Sequence, residues 1–144
     1  MLKIASILGL VLMAASLVGL YAIHVLISPQ PIAVILQVLA VALMVWARVT
    51  FGRRSFHASA DPTAGGLVMT GPYRYIRHPI YTAACLFGWG AVVAHWSELS
   101  AALGVLLIAG AVIRILCEER LLVRSYPEYI PYRKTTKRML PYVF

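Results

Sequence analysis

The chain has 144 residues, 61% of them hydrophobic and 12% charged, with mean hydropathy +0.82 and a net charge of +8 from 13 Lys and Arg against 5 Asp and Glu. Soluble domains carry about a quarter charged residues, so this composition excludes a soluble globular domain and marks an integral membrane protein. Helices and closed barrels alone satisfy their backbone in lipid, and no alternating strand pattern occurs, so the predicted fold class is all-α, a bundle of four transmembrane helices.

The first apolar run covers residues 4–27, with Lys3 at its start. As a helix it would extend about 36 Å, enough to span a hydrocarbon core with tilt. It is long for a signal peptide, lacks a small-residue cleavage site and is followed at once by a second run, so it reads as a transmembrane helix. Ser28-Pro29-Gln30-Pro31 breaks it, since proline cannot continue the hydrogen-bond ladder. The second run, residues 32–51, then returns antiparallel to the first. Residues 52–78 form a long polar connection containing Arg53-Arg54 and the stretch Ala60-Asp61-Pro62-Thr63-Ala64-Gly65-Gly66, too long and too rich in glycine and tyrosine for a simple link. The third run, residues 79–95, opens with Pro79, well suited to the first helical position. It is short for a span, which predicts that it starts near the headgroups. His95-Trp96-Ser97-Glu98 is the next turn, with Trp89 and Trp96 placed as interfacial anchors. The fourth run, residues 99–117, ends at Glu118-Glu119-Arg120. The tail, residues 118–144, mixes basic and aromatic residues with Pro127, Pro131 and Pro141, predicting a short interfacial helix and an irregular end.

With four spans, Lys3, Arg48, Arg53, Arg54, Arg74 and Arg77, and every Lys and Arg from Arg114 onward, fall on one side, and the two opposite turns contain none. The positive-inside tendency makes this side cytoplasmic, with both termini, the long connection and the tail sharing it. The positive charge therefore reads as a topology signal and an attraction to lipid headgroups, not as a nucleic-acid surface. Cys85 and Cys117 lie in or at the end of apolar runs without metal-ligand spacing and read as reduced packing residues, and no metal site is expected.

Two groups of residues carry chemistry. Arg114, a charge inside a span, stands one helical turn before Glu118, so the two project from one face. A snorkelling Arg–Glu pair is the plain alternative, but adjacent carboxylates at a helix C-terminus meet the unfavourable end of the macrodipole and call for a cation or donor-rich ligand nearby. On the other side, His78-Pro79 opens the third helix beside Arg74 and Arg77, and such a terminus binds carboxylate or phosphate. Tyr73, Tyr75 and Tyr81 can serve as an aromatic belt, and their faces also bind sulfonium by cation–π attraction. Helix N-terminal donors, tyrosine faces and a carboxylate together suit S-adenosylmethionine.

These residues carry a family resemblance. Gly66-Leu67-Val68, Gly71-Pro72-Tyr73 and Arg77-His78-Pro79-Ile80-Tyr81, followed by Glu118-Glu119, Glu128-Tyr129, Tyr132 and Pro141, resemble the membrane methyltransferases typified by isoprenylcysteine carboxyl methyltransferase, with which the phospholipid methyltransferases share much of the pattern. The resemblance covers residues 65–141 and implies one methyltransferase domain over residues 1–144. It puts cofactor contacts on Gly65, Gly66, Leu67 and Val68, on Tyr73, on His78, Pro79, Ile80 and Tyr81, and on Glu118, and gives Arg114 the substrate carboxylate. Tyr126-Pro127 stands where the family has Phe-Gly, and Pro131 interrupts the tyrosine pair of the tail.

The expected activity is S-adenosylmethionine-dependent methylation of a lipophilic, membrane-associated carboxylate at the cytoplasmic face. An already ionised carboxylate needs no general base; an amine of a phospholipid or a small thiol would need one, with His78 or Glu119 at hand. A lipid-binding or scaffold bundle is the non-enzymatic alternative. A soluble Rossmann methyltransferase is excluded by the lack of a strand followed by a glycine-rich turn.

Overall fold

A computed structural model describes residues 1–52 and 66–141. It is all-helical: α1 (Leu2–Ala22), α2 (Pro31–Phe51), a short 3₁₀ turn (Gly71–Arg74), α3 (Pro79–Ala94), α4 (Glu98–Ser125) and α5 (Tyr129–Thr135). Among the described residues three helices, α1, α2 and α4, are long and apolar enough to cross a membrane, whereas α3 has 16 residues. At 1.5 Å per residue α3 extends about 24 Å and α4 about 42 Å, so the first falls short of a hydrocarbon core and the second exceeds it. Residues 53–65, including Arg53, Arg54 and the expected cofactor residue Gly65, lie outside the described residues.

Helix boundaries differ from the apolar pattern in two places. α1 ends at Ala22, five residues before the apolar run does. His24 takes a left-handed backbone, φ 60°, and the N–H groups of Val25 and Leu26 both bond to the Leu20 carbonyl, 3.1 Å each. Gln37 of α2 donates to the Leu26 carbonyl at 2.6 Å, so the apolar residues after Ala22 form a bonded turn. α4 departs in the other direction. It begins in a capping box, Ser97 Oγ accepting from Ser100 N–H and Ser100 Oγ from Ser97 N–H, and continues to Ser125, beyond the last apolar residue of its run. Its final turns are held by charge pairs instead of lipid.

α1 packs chiefly on α4 and α2 on α3, with α3 also meeting α4. Lipid tails give apolar helices no hydrophobic drive to associate, so close packing of small residues must supply the attraction. A Cβ built on Gly9 would lie 2.8 Å from the Gly110 carbonyl oxygen, and one on Gly110 would lie 2.7 Å from that of Gly9. Between α3 and α4, the Trp89 ring covers Gly104 and its Nε1 donates to the Gly104 carbonyl at 3.1 Å. Trp89 is therefore an interhelix packing residue, while Trp96 is 70% exposed as an anchor would be. Cys85 and Cys117 are both free and buried.

The tail docks against this bundle. α5 is seven residues long, and Pro131 sits in its first turn, where no intrahelical bond is lost. Tyr129 and Tyr132 are buried, their rings edge-on at 5.9 Å, and the Tyr132 hydroxyl donates to the Tyr73 carbonyl. Pro131 thus leaves the tyrosine pair intact. Past α5 the chain runs beside the residues that precede α3: Arg77 N–H donates to Lys137 O at 2.8 Å and His78 N–H to Arg138 O at 2.9 Å, with an isolated parallel bridge between Ile76 and Lys137. Met139 then enters the core with Met13, Cys85, Leu107, Ala111 and Ile115.

Two outcomes follow from this packing. Gly110→Ala forces α1 and α4 apart and should lower stability by about 1–3 kcal/mol, read as a lower unfolding temperature in detergent, while Leu106→Ala on the exposed side of α4 changes it little. Burial pushes the Tyr132 phenol up to about 12 against an ordinary 10.0, with Arg77 and the Thr136 hydrogen bond opposing. The folded chain therefore holds this proton more tightly than the unfolded one. The stabilisation is complete below pH 10 and is lost as pH rises through 12, so the unfolding temperature should fall across that window, with a shallower fall in Tyr132→Phe; an equal slope in the variant would contradict it.

Candidate active site

The site is built on α4. Because this helix runs on past the apolar core, Glu118 and Glu119 stand inside it and not at its C-terminus. The expected clash with the macrodipole does not arise, since that effect is confined to the last turn. Their charges are met by side chains converging from the preceding turn of α4, from the residues before α3, from α3 and from the tail.

Glu118 lies 3.3 Å from Arg114 Nε, one helical turn earlier. The Tyr81 hydroxyl of α3 donates to Glu118 Oε1, and Arg114 Nε–H donates to that same hydroxyl oxygen. Arg114 is 4% exposed, and its Nη1 reaches the carbonyl and the hydroxyl of Ser6 on α1, 3.3 Å each. A charge at this depth is tolerated because its donors are matched. Glu118, with its side chain 19% exposed, is the more open of the two carboxylates.

His78 precedes Pro79, which opens α3 as expected. The imidazole does not cap the helix. It is buried at 6% exposure, stacks on Tyr81 with centroids 5.8 Å apart, and lies between the two carboxylates. Nδ1 is 3.6 Å from Glu118 Oε2 and Nε2 is 3.4 Å from Glu119 Oε1. The second contact is within range for charge attraction but is not aligned for a hydrogen bond, which leaves His78 Nε2 a buried polar atom without a bonded partner. Ile80, in the first turn of α3, is half-buried.

Glu119 is held more tightly. Arg77 brings Nε to 3.0 Å and Nη2 to 2.9 Å of Oε1, and Arg138 of the tail brings Nε to 3.1 Å of Oε2. Arg77 Nη1 also donates to the Thr136 carbonyl and, at 3.1 Å, to that of Arg133. Among the described residues, Tyr129 Oη is the other buried side-chain atom without a bonded partner. Burial, and then the nearby Glu119 charge, push its phenol well above the ordinary range, so it stays protonated.

The remaining expected cofactor residues fall elsewhere. Leu67 and Val68, with Thr50, Phe51, Gly52, Met69 and Thr70, line a groove of about 490 Å³ at the end of α2. Gly66 precedes it with φ 81°. Gly71, with φ 57°, backs onto Thr50, whose Oγ1 would be 2.5 Å from any Cβ there. The groove does not include His78, Tyr81 or Glu118. Tyr73 connects the two parts: its ring packs on Phe51 at 5.4 Å, and its phenol, pushed well up mainly by burial, also feels Glu118 and Arg48. The structure therefore gathers His78, Tyr81 and Arg114 around the carboxylate pair of Glu118 and Glu119, keeps Pro79 and Ile80 in the first turn of α3, and sets Leu67 and Val68 in a groove linked to the pair through Tyr73. Among the described residues no group of three or more His, Cys, Asp or Glu stands where it could hold a metal ion.

Ser6, Arg138 and Thr136 belong to this architecture without having been predicted, and Tyr132 was singled out only as part of the family motif. Ser6 carried a faint signal as a small polar residue inside an apolar run. Arg138 carried none, since its partner lies 19 residues away and no local pattern links them.

Comparison with known proteins places the site in context. Neither the curated proteins nor the solved structures contain a match to the chain. The family model described as phospholipid methyltransferase matches residues 30–129, which takes in α2, α3 and α4 with Arg77, His78, Tyr81, Arg114, Glu118 and Glu119. With that match extending over more than half of its length, the chain belongs to the phospholipid methyltransferase family, whose activity is membrane methyl transfer.

Proposed function

We infer that the chain transfers a methyl group from S-adenosylmethionine to a lipophilic acceptor at the cytoplasmic face of a membrane, with both termini on that side. The observation that carries this reading is the convergence of Glu118, Tyr81 and His78, from two helices and the turn before one of them, on a partly open carboxylate beside the groove of Leu67 and Val68. These residues fit the cofactor by their chemistry. Glu118 would take its ammonium group, Tyr73 and Tyr81 would face the sulfonium by cation–π attraction, and the backbone of residues 66–68 would approach its nucleoside. When bound, S-adenosylmethionine supplies an electrophilic methyl group on a positively charged sulfur.

The chain's own contribution is alignment and exclusion of water. Half-buried Tyr81 stacks on buried His78, which fixes the wall of the site against which an acceptor must lie. For a carboxylate acceptor, Arg114 would orient the nucleophile by a bidentate pair, exchanging Glu118 for the substrate.

A second acceptor class is favoured by a specific observation. Arg114, Arg77 and Arg138 all pair with the chain's own carboxylates, so an incoming carboxylate competes with Glu118 and Glu119, whereas an amine does not. An amine must lose its proton before or during attack. His78, whose Nδ1 lies 3.6 Å from the partly open Glu118, would accept it there, with Glu119, 3.4 Å from Nε2, stabilising the resulting imidazolium.

Titration of the purified protein with S-adenosylmethionine tests the activity class; no heat of binding to folded protein would favour a lipid-binding scaffold. Glu118→Gln should weaken cofactor binding by about tenfold, the equivalent of one charge-assisted hydrogen bond. Labelled methyl transfer to a prenylated cysteine and to phosphatidylethanolamine then separates the acceptors. With a carboxylate acceptor, Arg114→Ala abolishes turnover and changes cofactor affinity by less than about threefold. With an amine acceptor, His78→Ala loses turnover near neutral pH and regains it as the pH approaches the pKa of the amine.

A further inference from the structure

Glu119 has no room for a ligand. Its side chain is 9% exposed, Oε1 is taken by Arg77 through Nε and Nη2, and Oε2 by Arg138. Both arginines lead to the same segment. Arg77 Nη1 donates to the carbonyls of Arg133 and Thr136, which close α5, and Arg138 is itself part of the strap that follows. Along that strap the N–H groups of Arg77 and His78 donate to the carbonyls of Lys137 and Arg138, and Thr82 Oγ1 donates to that of Met139 at 2.9 Å. Met139 is 8% exposed in the bundle core. The residue that receives a strap carbonyl on its backbone, His78, is the residue whose ring lies between Glu118 and Glu119.

We propose that Glu119 is a positioning residue that latches residues 136–139 across the start of α3, and that this latch sets the place of His78 beside Glu118. The part concerning catalysis rests on the function inferred above; the latch itself does not. The strap stays closed during turnover, since its bonds use buried groups and its end fills the core. Adjacent glutamates on α4 thus have different tasks, Glu118 facing the ligand and Glu119 facing the tail.

Hydrogen exchange and steady-state kinetics on the full chain in detergent or lipid discs test this together. Glu119→Gln keeps the shape of the side chain and removes its charge. It should speed exchange of the Arg77 and His78 amides by at least about tenfold, expose the tail to trypsin at Arg133 and Lys134, and lower kcat by about tenfold with S-adenosylmethionine saturating, while cofactor affinity changes by less than about threefold. Arg138→Ala, whose side chain is 32% exposed, gives a second variant that leaves the Arg77 pair in place. It should move exchange and kcat in the same direction by less, Arg138→Lys should restore much of both, and Arg138→Ala should add less in the Glu119→Gln background than alone. Unchanged exchange and kcat in Glu119→Gln would overturn the proposal. Loss of cofactor affinity with the amides still protected would also overturn it, by making Glu119 a ligand. If the wild type binds no S-adenosylmethionine, the inferred function fails, and the exchange data still decide whether the latch exists.

Discussion

The structure depends on neutralising two adjacent carboxylates on one helix. Glu118 and Glu119 leave α4 in different directions, and each must find cations or donors because burying an unpaired charge costs several kcal/mol, on the order of 3–5 when a partner is removed. The solution draws on most of the molecule. α1 contributes Ser6 behind Arg114, the turn before α3 contributes Arg77 and His78, α3 contributes Tyr81, and the tail contributes Arg138. This convergence holds α4 helical beyond the apolar layer and brings the tail back onto the bundle.

Packing and charge meet at the α1–α4 crossing. A Cβ on Gly9 would be 3.2 Å from the Arg114 backbone nitrogen as well as against the Gly110 carbonyl. The two helices approach this closely because neither presents a side chain there, and the approach lets Ser6, one turn before Gly9, reach the Arg114 guanidinium. A contact that lipid-driven packing requires therefore also supplies a partner for the buried arginine. The first helix, which the family match does not include, takes part in the site by this route.

On the opposite side of the carboxylate pair, the residues preceding α3 do two jobs. Their backbone receives the tail, and their side chains face the carboxylates. His78 is the point where both meet, with its N–H on Arg138 and its ring against Glu118 and Glu119. Pro79 has no N–H to offer, so the helix starts without disturbing that arrangement. Tyr73 extends the site toward the groove at the end of α2, its carbonyl accepting the Tyr132 hydroxyl and its ring lying on Phe51.

Much of this was legible in the amino-acid order alone. Hydropathy marked the apolar helices, Pro31 and Pro79 marked two of their starts, and Arg114 stood out as a charge within an apolar run one turn from Glu118. These are local signals, since helix periodicity, proline chemistry and the cost of a charge in lipid act over a few neighbouring residues. Length along a helix was less well determined. Residues 23–27 are as apolar as a span yet form a turn, and residues 118–125 are too polar for a span yet stay helical, because each outcome is set by partners distant in sequence: Gln37 on Leu26, and Arg77 and Arg138 on Glu119. The different tasks of Glu118 and Glu119 were likewise invisible, as adjacent identical side chains differ only in the direction they leave the helix. Which of them meets the tail and which stays partly open was decided by the packing of α3 and the tail against α4, through contacts spanning 19 to 42 residues.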